Sequence, residues 1–326
     1  MKNYNKLLFL LLLPTINSFA QELELVEANF YLENDADFRT DEAYTHGASL
    51  EALFLRKDMD DSIFHIPFTD YLLQDNYISF SYVQKIYTPQ DLESSELIED
   101  DRPYAGYTYL QTALHQSYNN NLKSLTAQIG LVGPSTGMES VQKAIHSLIG
   151  SPDPQGWEHQ LSDELILQLN YDERYYIKTE KIFDFDSAVI PSYGFELGNA
   201  STKLYTGVLV RVGEHLPQDY GFEPINNTYY SKFPLSTDTK FHQGWSYCFN
   251  FSLKANLIAR DIFLDGNTNV DSQSVDKNNF TLYGGYGFSI MYDRYSFDYI
   301  HTHTTKEFKE QDYYTSYGSL MFSYLF

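Results

Sequence analysis

The chain has 326 residues, 44 acidic against 22 basic, nine His, one Cys and a formal net charge of −22. A surface this negative repels phosphates and no basic patch stands out, which excludes a nucleic-acid binder; the lone Cys248 excludes an internal disulfide framework and Cys-rich metal sites. Aromatic residues make up 17% of the chain and include 29 Tyr, while mean hydropathy is only −0.39, which excludes a disordered acidic chain and a bundle of membrane helices and favours one β-rich domain with rings suited to a lipid–water boundary.

Residues 1–20 read as a secretory signal peptide. Lys2 and Lys6 give a positive start, Leu7–Leu13 an apolar stretch too short to span a bilayer as a helix, and Ser18-Phe19-Ala20 a small-x-small cleavage site. From residue 21 to 326 the pattern has period two. After Trp245, Tyr247, Phe249, Phe251, Leu253, Ala255 and Leu257 alternate with Ser246, Cys248, Asn250, Ser252, Lys254 and Asn256. Such stretches suit strands with one face in lipid and one in a polar lumen. They predict strands near 23–33, 44–56, 76–88, 104–116, 122–132, 162–177, 187–198, 203–214, 244–257, 279–292, 294–304 and 313–326. The expected fold is therefore all-β, a twelve-stranded antiparallel transmembrane β-barrel; a soluble β-sandwich or lipocalin-like barrel would leave its apolar band exposed to water. The end on Phe326, with Tyr324 and Phe322 at the same parity, resembles the C-terminal strand of outer-membrane barrels.

With the N-terminus in the periplasm, outer loops fall near 35–43, 89–103, 133–161, 199–202, 258–278 and 305–312. Segments 57–75 and 215–243 are long for periplasmic turns, and the sequence offers no account of them. In the first hairpin, Tyr44, Ala48 and Leu50 fall on the lipid parity, so Asp35 and Thr45 are expected to point into the lumen at the rim. Asn34-Asp35 is hard-oxygen chemistry suited to Ca²⁺, or equally an Asx turn ending the strand; Asp37, Asp41 and Glu42 read as solvated loop charges.

Residues 137–149 switch to helical period, giving a short extracellular loop helix. Thr136 and Glu139 make a plausible capping box and Gly150 a stop. Met138, Val141, Ile145 and Leu148 form an apolar stripe expected to pack on the barrel rim, with Glu139, Gln142 and His146 on a neighbouring one. A His beside that stripe is placed to serve as a base near neutral pH, although a surface His on a loop helix is the plainer reading. Ser135, Thr136 and Ser140 lie in no nucleophile-elbow sequence, and Arg102, between Asp101 and Pro103, reads as structural rather than as a phosphate contact. Cys248, on the polar parity of its strand, reads as an inert filler.

In order along the chain stand Asn34-Asp35-x-x-Phe38, Tyr44-Thr45-x-Gly47, Gln84-x-Ile86-Tyr87-Thr88-Pro89, Asp101-Arg102-Pro103-Tyr104-Ala105-Gly106, Gly130-x-x-Gly133-Pro134-x-x-Gly137, Val141-Gln142-x-x-x-His146-x-x-x-Gly150 and Trp157. This series resembles the lipid A 3′-O-deacylase family, Ca²⁺-dependent esterases of the bacterial outer membrane built as twelve-stranded barrels. The resemblance implies that His146 activates a water, that Ca²⁺ near Asn34 and Asp35 stabilises the oxyanion, and that Thr45 and Gln142 orient groups or touch substrate. It also implies lipid A (lipopolysaccharide) of the outer leaflet as substrate, for a barrel able to stand as a monomer. One departure is the loop before the Asp-Arg motif, which carries several basic residues in one member of the family but is filled here with Asp91, Glu93, Glu96, Glu99, Asp100 and Asp101, which repel a phosphorylated lipid unless divalent cations bridge them. Pro152 and Pro154 are another, where that same member carries polar side chains. The competing functions are a non-catalytic barrel (a narrow pore or structural protein) and a phospholipase using the same His and Ca²⁺ chemistry.

Overall fold

The computed structural model describes residues 23–35, 43–56, 75–226, 232–235 and 244–326. The expected signal peptide, residues 57–74, Asp37, Asp41 and Glu42 lie outside the described residues. The strands are β1 (Leu23–Asn34), β2 (Ala43–Arg56), β3 (Asp75–Thr88), β4 (Ala105–Tyr118), β5 (Asn121–Val132), β6 (Glu164–Tyr175), the two-residue β7 (Ile177–Lys178), β8 (Asp186–Gly198), β9 (Ser201–Glu214), β10 (Trp245–Asp261), β11 (Phe280–Tyr292), β12 (Tyr295–Thr304) and β13 (Ser316–Leu325). The long strands pair antiparallel with their neighbours along the chain, β6 pairs with β8, and β1 pairs with β13. The result is a closed barrel of twelve strands, with β7 a short extra strand on the edge of β8.

Alternation follows the expected parity. Along β10, Tyr247, Phe249, Phe251, Leu253 and Leu257 are exposed on the outer wall, while Ser246, Cys248, Asn250, Lys254 and Asn256 are buried in the lumen. Phe30, Leu50, Phe80, Leu110, Leu167 and Phe322 continue the outer apolar band, the face a barrel presents to lipid. Among the described residues no helix is long and apolar enough to cross a membrane. The tyrosines of β4 separate from its leucines as the mixed parity requires: Tyr107 and Tyr109 are buried inside, and Leu110 is 60% exposed outside.

At the start of β2 the structure corrects the parity reading. The β2–β3 register slips between Tyr44 and His46, so Thr45 is the extra residue of a bulge. Tyr44 therefore turns into the lumen, where its hydroxyl donates to Glu33 Oε2 at 2.6 Å and its ring meets Tyr87 and Tyr317. Gly47 makes room for it, since a Cβ there would lie 1.9 Å from the Tyr44 hydroxyl oxygen. Thr45 bonds Thr88 Oγ1 at 2.6 Å. Thr88 is the chain neighbour of lumen-facing Tyr87 and shares the outward parity of Ile86, so Thr45 is committed to the outer wall. One inserted residue reverses which side chain faces which compartment.

The lumen is filled by the segment that had no account in the sequence. Residues 215–226 climb from the periplasmic end of β9 into the barrel, and 232–235 run beside them, with Tyr220 N bonded to Phe233 O and Leu235 N to Gln218 O. Buried ions anchor this plug to the wall: Asp219 to Arg211 at 2.7 Å, Lys232 to Asp298 at 2.5 Å and Glu223 to Lys254 at 3.3 Å. Its tip reaches Glu33 and Lys85 near the outer rim. A plug along the lumen does not favour the pore reading.

At the outer mouth, buried Arg102 donates to Glu307 Oε2 at 2.7 Å, joining the β3–β4 loop to the β12–β13 loop. Burial works against the charged guanidinium, but Glu307, Tyr313 and Asp101 outweigh it and hold Arg102 protonated above the ordinary arginine range. This bears out the structural reading of the residue. Arg102→Ala leaves Glu307 buried and unpaired and is expected to cost about 3–5 kcal/mol. The drop is measured as a lower temperature for loss of the heat-modifiable folded band; the Arg102→Ala/Glu307→Ala double variant should recover most of it, and no recovery refutes the pairing.

Candidate functional site

The loop helix forms where expected, as α1 (Met138–Ile149), closed by Gly150 in left-handed conformation with its N–H on His146 O. Its start differs from the expectation. Gly137, also left-handed, is the N-cap, and no side chain caps the helix. Glu139 instead ion-pairs Lys143 one turn on, at 2.8 Å, and this bond holds the Lys143 ammonium above its ordinary range. The capping box fails because Thr136 belongs to the preceding turn, Pro134–Thr136, where its hydroxyl donates to Gly133 O at 2.6 Å and faces Met138 N at 3.4 Å rather than the backbone of Glu139.

The orientation of α1 follows the expectation at Met138 and Val141 and departs from it at the exposed far end of the stripe. Its buried side chains are Met138, Gln142 and His146, while Leu148 is 85% exposed and Ile149 59%. The helix lies on the outside of the wall, over the outer ends of β3 and β4, so its polar stripe is covered by protein and its apolar end looks toward lipid. Met138 enters a cluster with Ile86, Leu92, Tyr104 and Trp157, all buried. Gly106, on the outward parity of β4, permits the approach: a Cβ there would lie 2.4 Å from Thr136 Oγ1 and 2.6 Å from Met138 Cβ. Met138 and Val141 of the apolar stripe thus pack on the wall as expected, and only its far end, Leu148, is left exposed, where lipid is an alternative partner.

The polar stripe is oriented by residues that periodicity did not single out. Trp157, on the short turn Gly156–His159, donates Nε1–H to Gln142 Oε1 at 2.7 Å and packs against Tyr104. With its oxygen so fixed, Gln142 points its amide nitrogen away, and Nε2 is buried with no acceptor among the described residues. It is a donor held ready for a carbonyl oxygen. His146 Nδ1 lies 2.5 Å from Pro152 O. A carbonyl only accepts, so Nδ1 carries the hydrogen and Nε2 is the basic nitrogen of the neutral ring. Pro152 departs from that family member in its side chain, but its contact with His146 is made by its backbone oxygen.

Opposite, Asn34 Nδ2 donates to Thr45 O at 2.9 Å, which ties the end of β1 to the bulge of β2, and Asp35 is fully buried beside it. The structure thus brings Asn34 and Thr45 together, and Gln142 and His146 together. The two groups are linked through β3, where Thr88 bonds Thr45 and Ile86 packs in the cluster that seats α1. Thr88, Trp157, Tyr104 and Pro152 are site-forming residues whose roles sequence reasoning missed; that Thr88, Tyr104 and Trp157 all stand inside the quoted motifs was the available signal.

Asn34 and Asp35 offer an amide and a carboxylate, hard donors that fit Ca²⁺. No group of three or more His, Cys, Asp or Glu side chains suited to a metal occurs among the described residues, so backbone carbonyls and water would complete such a site. Two nearby hydroxyls are otherwise engaged: Ser135 Oγ donates to Asp163 at 2.6 Å and Thr136 Oγ1 to Gly133 O. Beside the site, Asp91, Glu93, Glu96, Glu99 and Asp100 are exposed, whereas Asp101 is buried, accepting from the N–H groups of Gln90 and Arg102.

Comparison with known proteins gives one family model, described as Outer membrane protein LpxR, which matches residues 7–326. Among solved structures, LpxR from Salmonella typhimurium is similar at 18% identity and TM-score 0.73, over 92% of this chain and 100% of that one. Also matched are the β domain of the Bordetella autotransporter BrkA (8% identity, TM-score 0.44, 92% of this chain and 98% of that one) and the translocator domain of autotransporter NalP from Neisseria meningitidis (7%, 0.42, 99% and 96%). No curated protein sequence matches the chain.

Proposed function

The chain belongs to the LpxR family of outer membrane proteins, and from that premise we propose that it is an outer-leaflet esterase that hydrolyses an ester-linked acyl chain of lipid A, as a 3′-O-deacylase does. The observation that carries this reading is the side of the wall on which the polar groups lie. Gln142 and His146 on α1, and Thr45 and Thr88 at the outer ends of β2 and β3, are all buried near the outer rim, and this burial on the side of the wall away from the lumen favours a substrate that arrives from the outer leaflet.

In the mechanism, His146 Nε2 takes a proton from a water that attacks the ester carbonyl, and the Nδ1–H bond to Pro152 O steadies the imidazolium that forms. Gln142, its oxygen held by Trp157, donates its amide hydrogen to the carbonyl oxygen as negative charge develops there. Asn34 and Asp35 would hold Ca²⁺, which when bound supplies positive charge for that oxyanion. Thr45 orients Asn34 through its backbone oxygen. Leu148 and Ile149, exposed at the end of α1, favour a substrate presented from the bilayer. The acidic 91–100 loop favours lipid A with fewer phosphates, or one bridged by divalent cations.

The test is mass spectrometry of lipid A from cells with and without the protein. Loss of a single 3′-linked acyl group is expected, abolished by EDTA and restored by excess Ca²⁺. An unchanged lipid A profile alongside released lysophospholipid transfers the chemistry to a phospholipase; no acyl release from either lipid sinks the enzyme reading altogether.

A further inference from the structure

We propose that Glu33, with the plug tip it grips, is a positioning residue that sets the catalytic corner from inside the barrel; this deepens the esterase reading and rests on it. The basis is a repeated juxtaposition at three neighbouring strand ends. In β1, Glu33 faces the lumen and Asn34 the outside; in β2, Tyr44 faces in and Thr45 out; in β3, Tyr87 faces in and Thr88 out. Glu33 and Tyr87 bond plug residues Ile225 and Asn226 directly, and Tyr44 joins them through Glu33. Glu33 accepts from Ile225 N at 2.6 Å and Asn226 N at 3.1 Å, and also from Tyr44 at 2.6 Å and Ser319 at 2.8 Å. Tyr87 donates to Asn226 Oδ1 at 2.9 Å, and Lys85 on the same strand donates to Ile225 O at 2.7 Å. Each site residue on the outer wall is thus backed by its chain neighbour on the inner wall.

A bulge residue has no ladder partner of its own, so its direction is set by what holds the residues beside it. Thr45 is that residue, and its predecessor Tyr44 is held by Glu33. The carboxylate is acceptor-only and meets four donors, two of them backbone N–H groups that cannot rotate away. Glu33→Gln turns an NH₂ group toward those donors, so the tip is expected to release and the Asn34–Thr45–Thr88 corner to loosen. Glu33 touches no substrate in this scheme; it acts through the residues it holds.

The test compares the full-length wild-type protein in lipid vesicles with Glu33→Gln and, as a gentler change, Tyr87→Phe, which removes only the bond to Asn226. Two readouts are taken: kinetics on lipid A and hydrogen exchange along the strands. Glu33→Gln should lower kcat about tenfold or more with KM within about twofold, and Tyr87→Phe should lower it by a smaller factor. Exchange should quicken at residues 43–47 and 85–88 and stay unchanged across β10. Wild-type kcat and wild-type exchange in both variants overturn the proposal, and so does exchange quickened throughout the barrel, which marks a general structural role. If Glu33→Gln fails to fold, Tyr87→Phe decides by the same two readouts. If the wild-type protein itself releases no acyl chain, the esterase reading falls, and exchange at 43–47 alone decides whether Glu33 holds that corner.

Discussion

His146→Ala is expected to lower acyl release by about 10²–10⁴-fold, the usual contribution of a positioned general base, while the barrel keeps its heat-modifiable migration. The side chain bonds a loop carbonyl and lies on a helix outside the barrel ladder, so no strand pairing depends on it. Its loss leaves Pro152 O without that donor, a local penalty of about 1–3 kcal/mol that an adjacent water can offset. The informative control is Lys143→Ala on the same helix, which breaks only the exposed pair with Glu139 and should leave turnover unchanged. Full activity in His146→Ala would remove the base from the mechanism, and the esterase would need another source of activated water.

Gly106→Val tests the site without touching a chemical group. The added Cβ would lie 2.4 Å from Thr136 Oγ1 and 2.6 Å from Met138 Cβ, so the turn before α1 and the first residue of α1 must move off the wall. Gln142 and His146 ride on that helix, and displacement of about 1 Å costs on the order of 10²-fold in rate. Strand β4 itself has no reason to suffer, because Gly106 pairs through its backbone with Ile86 and valine suits a strand. Thr112→Val, on the exposed outer face of the same strand, is the matched control. Activity near wild type in Gly106→Val would mean that α1 does not need its seat on β3 and β4.

The sequence by itself determined the barrel. Period-two patterning depends only on one wall facing lipid and the other a polar lumen, so twelve strands, their order and most of their parities could be read directly. It also determined that a helix interrupts the β pattern at 138–149 and that Gly150 ends it, because helical period and a left-handed stop are local properties. Asn34, Thr45, Gln142 and His146 were legible as motif positions. Only the tertiary structure decided which way they face. A one-residue bulge at Thr45 reverses parity without leaving any mark in the hydrophobic pattern. The docking of α1 depends on Gly106, some thirty residues upstream, which lets Met138 close on the wall and buries Gln142 and His146 beside it. The plug was invisible for the same reason: Asp219, Glu223 and Lys232 look like solvated loop charges until Arg211, Lys254 and Asp298 on β9, β10 and β12 close around them. Local periodicity reports the solvent on each side of a segment, whereas the partner that buries a charge or turns a bulge comes from elsewhere in the chain and is fixed only when the barrel closes.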